Sequence, residues 1–127
     1  MFTIDASRTI HITRGDVAAI NVRASSPDGA TYFFNPTDLV RFKVFEKKRC
    51  NCILLQKDVL AGVSSDTVTI SLTSDDTRLG ELINKPVDYW YEVELNPETA
   101  PQTIIGYDMD GPKVFRIYPE GEMTDGN

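Results

Sequence analysis

Along residues 39–47 apolar and charged side chains alternate, with Val40, Phe42 and Val44 on one side and Arg41, Lys43 and Lys47 on the other. An extended backbone sends successive side chains to opposite faces, so this segment reads as a strand with one face buried and the other in water. The same period recurs at 67–72, where Val68, Ile70 and Leu72 point inward and hydroxyls outward. It recurs again at 88–95, where Tyr89, Tyr91, Val93 and Leu95 oppose Asp88, Trp90, Glu92 and Glu94. Helical periods are nearly absent. Thr, Val and Ile supply 32 of the 127 residues, and β-branched side chains suit a pleated, half-buried surface.

Weaker segments complete the pattern. Thr9-Ile10-His11-Ile12-Thr13 alternates, stops at Arg14-Gly15-Asp16 and resumes over 17–23, which predicts a hairpin with a tight turn. Breakers at 25–29 and 35–38 flank the aromatic patch Tyr32-Phe33-Phe34. Residues 52–57 form a further candidate strand, and 102–107 and 113–118 flank Asp108-Met109-Asp110-Gly111-Pro112 as a terminal hairpin with a long turn. One stretch reads as helical: Thr73, Ser74, Asp75 and Asp76 offer N-cap oxygens, and Gly80 is placed to stop the helix. The pattern predicts an all-β fold, an antiparallel immunoglobulin-like β-sandwich of seven to eight strands with one short helical turn near residues 75–80. A small barrel is the alternative closure. A chain of 127 residues suits a single domain, here over residues 1–119, with a flexible polar tail over 120–127.

Thirteen basic against 19 acidic residues give a net charge of −6, which excludes a general nucleic-acid binder because phosphate contacts need a positive field. The charge is unevenly placed. Residues 1–74 hold nine Lys/Arg against seven Asp/Glu, and residues 75–127 hold four against twelve, so the halves should attract. If segments 39–47 and 88–95 are antiparallel neighbours, Arg41 and Lys43 meet Glu92 and Glu94. Each such pair contributes only ~0.2–1 kcal/mol, which makes it a register cue more than a source of stability. No run nears the ~18 apolar residues of a membrane span, and Thr3, Asp5, Ser7 and Arg8 interrupt any signal-peptide core. Cys50 and Cys52 are separated by one residue, an awkward spacing for a disulfide in extended backbone, and reduced thiols are expected.

Catalytic constellations are not expected. The sole imidazole, His11, sits mid-strand and reads as an exposed strand residue. Cys50, Cys52 and His11 fall short of a four-ligand zinc set, and Asp108-Met109-Asp110-Gly111 is cut off from a calcium loop by Pro112 and by Pro119 at the twelfth position. Arg14-Gly15-Asp16 reads as a turn, not an integrin motif. The pairs Asp75/Asp76 and Glu92/Glu94 read as a helix start and a solvated face, and Gly62, Gly80 and Gly106 form no phosphate loop. No enzyme activity, cofactor or metal is predicted. The contact candidates are Trp90, a large ring beside Glu92 and Glu94, and the basic run Lys47-Lys48-Arg49, which would suit an acidic partner or another copy.

The run Thr13-Arg14-Gly15-Asp16 with Ala19-Ile20-Asn21-Val22, then Val40-Arg41-Phe42-Lys43-Val44-Phe45-Glu46-Lys47, Leu55-Gln56-Lys57-Asp58 and Asp88-Tyr89-Trp90-Tyr91-Glu92-Val93-Glu94-Leu95, resembles small phage and prophage tail-associated proteins of gut Firmicutes. More remotely it is similar to the N-terminal domain of siphophage baseplate upper proteins. The resemblance spans roughly Phe2 to Pro119 and implies an immunoglobulin-like sandwich that docks onto the tail or baseplate, often in several copies. It implies other tail or baseplate proteins as partners, a possible homo-oligomer, and a place in the virion tail after synthesis in the bacterial cytoplasm without a signal peptide. The sequence covers one such domain, which points to docking or adaptor work and away from receptor binding. A carbohydrate-binding sandwich using Trp90 and Tyr32-Phe33-Phe34 as stacking platforms is the alternative, with a glycan as partner.

Overall fold

Alternation and β-branching yield strands at every segment the sequence marks. The structure, a computed structural model, describes residues 2–4, 8–25, 29–46, 52–79, 84–107 and 111–120. Nine strands lie among the described residues: β1 (Phe2–Ile4), β2 (Ile10–Thr13), β3 (Ala18–Val22), β4 (Leu39–Phe45), β5 (Ile53–Leu60), β6 (Val68–Leu72), β7 (Val87–Leu95), β8 (Gln102–Ile105) and β9 (Lys113–Tyr118). The short β1 was not expected from the sequence. The strands form two sheets, a large one in the order β1-β2-β9-β7-β4-β5 with β8 also on β7, and a small one of β3 and β6.

The burial patterns follow the alternation. Val40, Phe42 and Val44 of β4, Val68, Ile70 and Leu72 of β6, and Tyr91, Val93 and Leu95 of β7 are buried. Ile20 and Val22 of β3 join Ile10, Ile12, Phe115 and Ile117 of the large sheet in one core cluster, the two-layer β packing the composition calls for. Phe42 sits at its centre, 5.7 Å from the Tyr91 ring and 6.0 Å from the Phe115 ring. Each large side chain fully buried there contributes roughly 1.5–3 kcal/mol.

Three expectations need correction. The first hairpin does not form: β2 pairs with β1 and β9, whereas β3 pairs with β6. Both strands exist, but the turn between them carries the chain from one layer to the other, so Ile12 and Ile20 enter the core from opposite sides. Gly15 adopts φ +88° at that turn, a conformation that favours glycine. The turn is pinned from outside. Thr77 Oγ1 accepts from Gly15 N–H at 3.0 Å and donates to the Asp16 carbonyl at 2.8 Å, and Ser74 Oγ donates to the Gly15 carbonyl at 2.7 Å.

Those same bonds explain the missing helical turn near 75–80, since residues 74–77 are turn and no helix occurs among the described residues. Thr73 and Asp76 do cap each other, Thr73 N–H to Asp76 Oδ2 at 2.8 Å and Asp76 N–H to Thr73 Oγ1 at 3.2 Å. Thr77 is then held to the 14–16 turn and Leu79 is buried, and one turn cannot repay helix nucleation. Gly80 lies outside the described residues.

The terminal hairpin is the third correction. β8 and β9 pair with β7 in succession along one side, β9 against Val87–Tyr91 and β8 against Val93–Leu95, with a register shift between Val93 and Glu94. β9 also lies parallel to β2, so the sandwich is not wholly antiparallel.

Candidate functional site

The outer face of β4 and β7 was the expected contact surface. The two strands are antiparallel neighbours, with Arg41 opposite Glu94 and Lys43 opposite Glu92. Lys43 Nζ lies 2.8 Å from Glu94 Oε1 and 3.2 Å from Glu92 Oε1, and 5.6 Å above the Phe45 ring. Burial works against the Lys43 charge, but its bonds to Glu94 and Glu92 outweigh that and raise its pKa. Arg41 turns instead to β5, reaching Asp58 at 2.8 and 3.0 Å and Glu98 at 3.1 Å. Its guanidinium holds the Asp58 carboxyl below the usual range. Asp88 and Arg116, opposite each other on β7 and β9, form a two-point pair at 2.6 and 3.2 Å.

Trp90, Glu92 and Glu94 therefore share one face, as expected, but both glutamates are half-buried and engaged by Lys43. Trp90 is half-buried, opposite Phe45 and Val114. Lys47, Lys48 and Arg49 lie outside the described residues. The attraction between halves is visible as ion pairs: Arg14 meets Glu120 at 2.9 Å and Lys57 meets Asp76 at 2.9 Å, beside the Arg41–Glu98 and Lys43 pairs. Arg14 of the Arg-Gly-Asp run is thus engaged within the fold.

The reactive groups occupy structural positions. His11 is half-buried, not exposed, because its Nδ1 lies 2.8 Å from the Tyr118 hydroxyl and the two rings pack at 5.8 Å. Cys52 is disulfide-bonded, contrary to the expectation of reduced thiols. The sequence holds one other cysteine, Cys50, outside the described residues. Asp75 pairs with Arg78 at 3.2 Å. No group of three or more His, Cys, Asp or Glu among the described residues is arranged to hold a metal ion.

A different place, marked in the sequence only through Tyr32, has the shape of a site. A cleft of about 440 Å³ opens between Gln102, Thr103 and Ile104 of β8 and the segment 23–25 that follows β3, with Arg8 and Tyr32 also on its walls. A second hollow of about 220 Å³ shares Arg8, Thr103 and Ile104 and runs on to Tyr107 and Lys113. The volume of the first is within the range of ligand pockets. Arg8 sits at φ +67°, strained for a residue with a Cβ, and the Tyr91 hydroxyl donates to its carbonyl at 2.6 Å.

The Tyr32 wall is fixed from behind. Its hydroxyl donates to Asp38 Oδ2 at 2.6 Å, Asn35 N–H donates to the same oxygen at 2.9 Å, and Asn96 Nδ2 donates to Oδ1 at 3.0 Å. Burial of Asp38 opposes its charge, but these donors outweigh it and leave its pKa lowered, while the shared bond raises that of Tyr32. In the sequence Asp38 reads only as a loop breaker. Arg8 and Arg23 carry no local signal that separates them from the structural arginines. Compared with protein-family models, curated proteins and solved structures, the chain matches none of them.

Proposed function

We propose that this chain is a non-enzymatic structural or adaptor module of a phage or prophage tail or baseplate, docking onto neighbouring virion proteins or copies of itself. The observation that carries the reading is the edge strand β5. It ends the large sheet, is eight residues long and leaves Ile53, Leu54 and Leu60 44%, 43% and 61% exposed. An edge of this length with apolar side chains is a template for pairing with another chain. The resemblance to tail-associated proteins supplies the biological setting.

An immunoglobulin-like arrangement belongs to the same reading. The run β9-β7-β4-β5 and the separate pair β3-β6 can be aligned with the G-F-C-C′ sheet and the B-E pair of variable-type domains. The test combines light scattering on the purified chain with affinity capture from an induced-prophage lysate, the captured protein being identified by mass spectrometry. Self-assembly, or recovery of a tail or baseplate protein, is expected and should be lost in Leu54→Lys/Leu60→Lys. A strictly monomeric chain that recovers no tail component overturns the proposal.

Carbohydrate binding is the second reading, favoured by Phe33, which is 64% exposed, and by Tyr32 at the cleft. Phe34 is fully buried, and Trp90 stands opposite Phe45 at the far end of β4, so the aromatics do not make one platform. A glycan array with signal lost in Phe33→Ala or Trp90→Ala would favour it, and a flat array counts against it.

A further inference from the structure

Six arginines lie among the described residues, and four have carboxylate partners. Arg14 meets Glu120, Arg41 meets Asp58 and Glu98, Arg78 meets Asp75, and Arg116 meets Asp88. Arg8 and Arg23 have no carboxylate partner among the described residues, and these two line the same cleft. Lys113 lines the adjoining hollow, its ammonium donating to the Gly111 carbonyl at 3.1 Å. No described Asp or Glu lines either hollow. Asp38 stands behind Tyr32, buried and supplied with three donors. In a chain of net charge −6, Arg8 and Arg23 thus bring two positive charges to one cleft with no described carboxylate on its walls.

The cleft also offers backbone. β8 pairs with β7 alone, so its other edge has no strand partner among the described residues, and Gln102, Thr103 and Ile104 of that strand form the cleft wall. Arg23 is already steadied, its Nε donating to Thr67 Oγ1 at 3.1 Å, which leaves the planar end of the guanidinium to receive a carboxylate in two-point fashion. A strand edge flanked by guanidiniums matches an extended chain bearing carboxylates. A saccharide would leave the strand edge unsatisfied and would find a single ring, that of Tyr32, on which to stack.

We propose that this cleft binds an extended acidic peptide segment of a partner protein as an added strand along β8, with Arg8 and Arg23 receiving its carboxylates. For the identity of the partner the inference rests on the docking reading; the binding chemistry stands apart from it.

The test titrates the full chain, at low ionic strength, with fluorescein-labelled octapeptides that alternate Glu, Gln or Lys with Thr, read by anisotropy. The Glu peptide should bind and the Gln and Lys peptides should not compete. Arg8→Ala and Arg23→Ala should each weaken binding about tenfold while the melting curve stays unchanged, and Lys85→Ala should have no effect. N-methylation of alternate backbone amides in the Glu peptide should abolish binding, and the amide resonances of Gln102–Ile105 should shift on titration. Equal or absent binding of the Glu and Gln peptides overturns the proposal. So does Arg8- and Arg23-dependent binding of an acidic oligosaccharide in place of the peptide. Either failure leaves the docking reading standing, because that reading is measured by self-assembly and tail-protein capture through β5.

Discussion

Arg41 and Lys43 on the outer face of β4, and Arg8 and Arg23 at the β8 cleft, are two pairs of cations in opposite electrostatic circumstances. The first pair is met by Glu92, Glu94, Asp58 and Glu98 within about 3 Å because strand register puts carboxylates beside it. The second pair faces a wall of Gln102, Thr103 and Ile104. The difference teaches that positive charge on a β-sandwich marks a contact surface only where the register has not already supplied its counterion. The outer face, which the sequence singles out through Trp90, Glu92 and Glu94, has its cations matched by carboxylates, and the cleft, marked in the sequence only through Tyr32, is the place for which we propose attraction of an anion.

The largest test of this contrast breaks both regions at once. Phe42 is fully buried between Tyr91 and Phe115 under the outer face, so Phe42→Ala should cost about 3–5 kcal/mol in urea unfolding and abolish any binding activity through loss of fold. Next, Asp38→Ala leaves the Tyr32 hydroxyl, the Asn35 N–H and the Asn96 amide without their acceptor. It should cost about 1–3 kcal/mol and loosen the cleft wall, seen as increased amide exchange at residues 31–38, with the Lys43 ladder undisturbed.

The third test is a pH axis. Asp38 and Asp76 are lowered because bonds from their donors outweigh burial, and Asp58 is lowered chiefly by Arg41. A depressed folded-state pKa contributes stability that is complete above the unfolded value of about 4 and is lost as pH falls through the folded value. The urea midpoint should therefore hold between about pH 7 and 5 and fall below about pH 4, with a shallower fall in Asp38→Asn. If that variant falls as steeply as the parent, Asp38 is not part of the acid-labile network.

The smallest effects sharpen the comparison. Lys43→Ala leaves two half-buried carboxylates without their cation and should lower stability by up to about 1 kcal/mol, less at high salt. Arg8→Ala and Arg23→Ala should stay within about 0.5 kcal/mol of the parent. A cost for Arg8→Ala or Arg23→Ala equal to that for Lys43→Ala would mean the cleft arginines have structural work, and the contrast would fail.

Much of the fold was legible because alternation reports burial directly. β4, β6 and β7 appear with the inward rows their patterns predict, and even the β4/β7 neighbourhood could be read from Lys43 against Glu92 and Glu94. The candidate site was not legible in the same way. Trp90, Glu92 and Glu94 do share a face, but their engagement by Lys43 depends on side-chain reach, and Arg41 is drawn off to Asp58 on a strand whose position no local pattern announces. Period two says which side chains share a face; it does not say in which sheet the strand lies. That is why the segments flanking Gly15 have the pattern of a hairpin yet separate into two layers, and why 102–107 and 113–118 both come to lie on β7.

From its residues alone, then, the chain determined that it would be β, which side of each strand would leave water, and that its acidic and basic halves would meet, since these depend on side-chain chemistry at short separation along the chain. The tertiary structure alone decided sheet membership, the parallel β2–β9 pairing, the loss of the helical turn to Gly15, and which of the described arginines meet a described carboxylate. Those outcomes depend on contacts between residues far apart in sequence, where packing geometry, not local pattern, sets the distances.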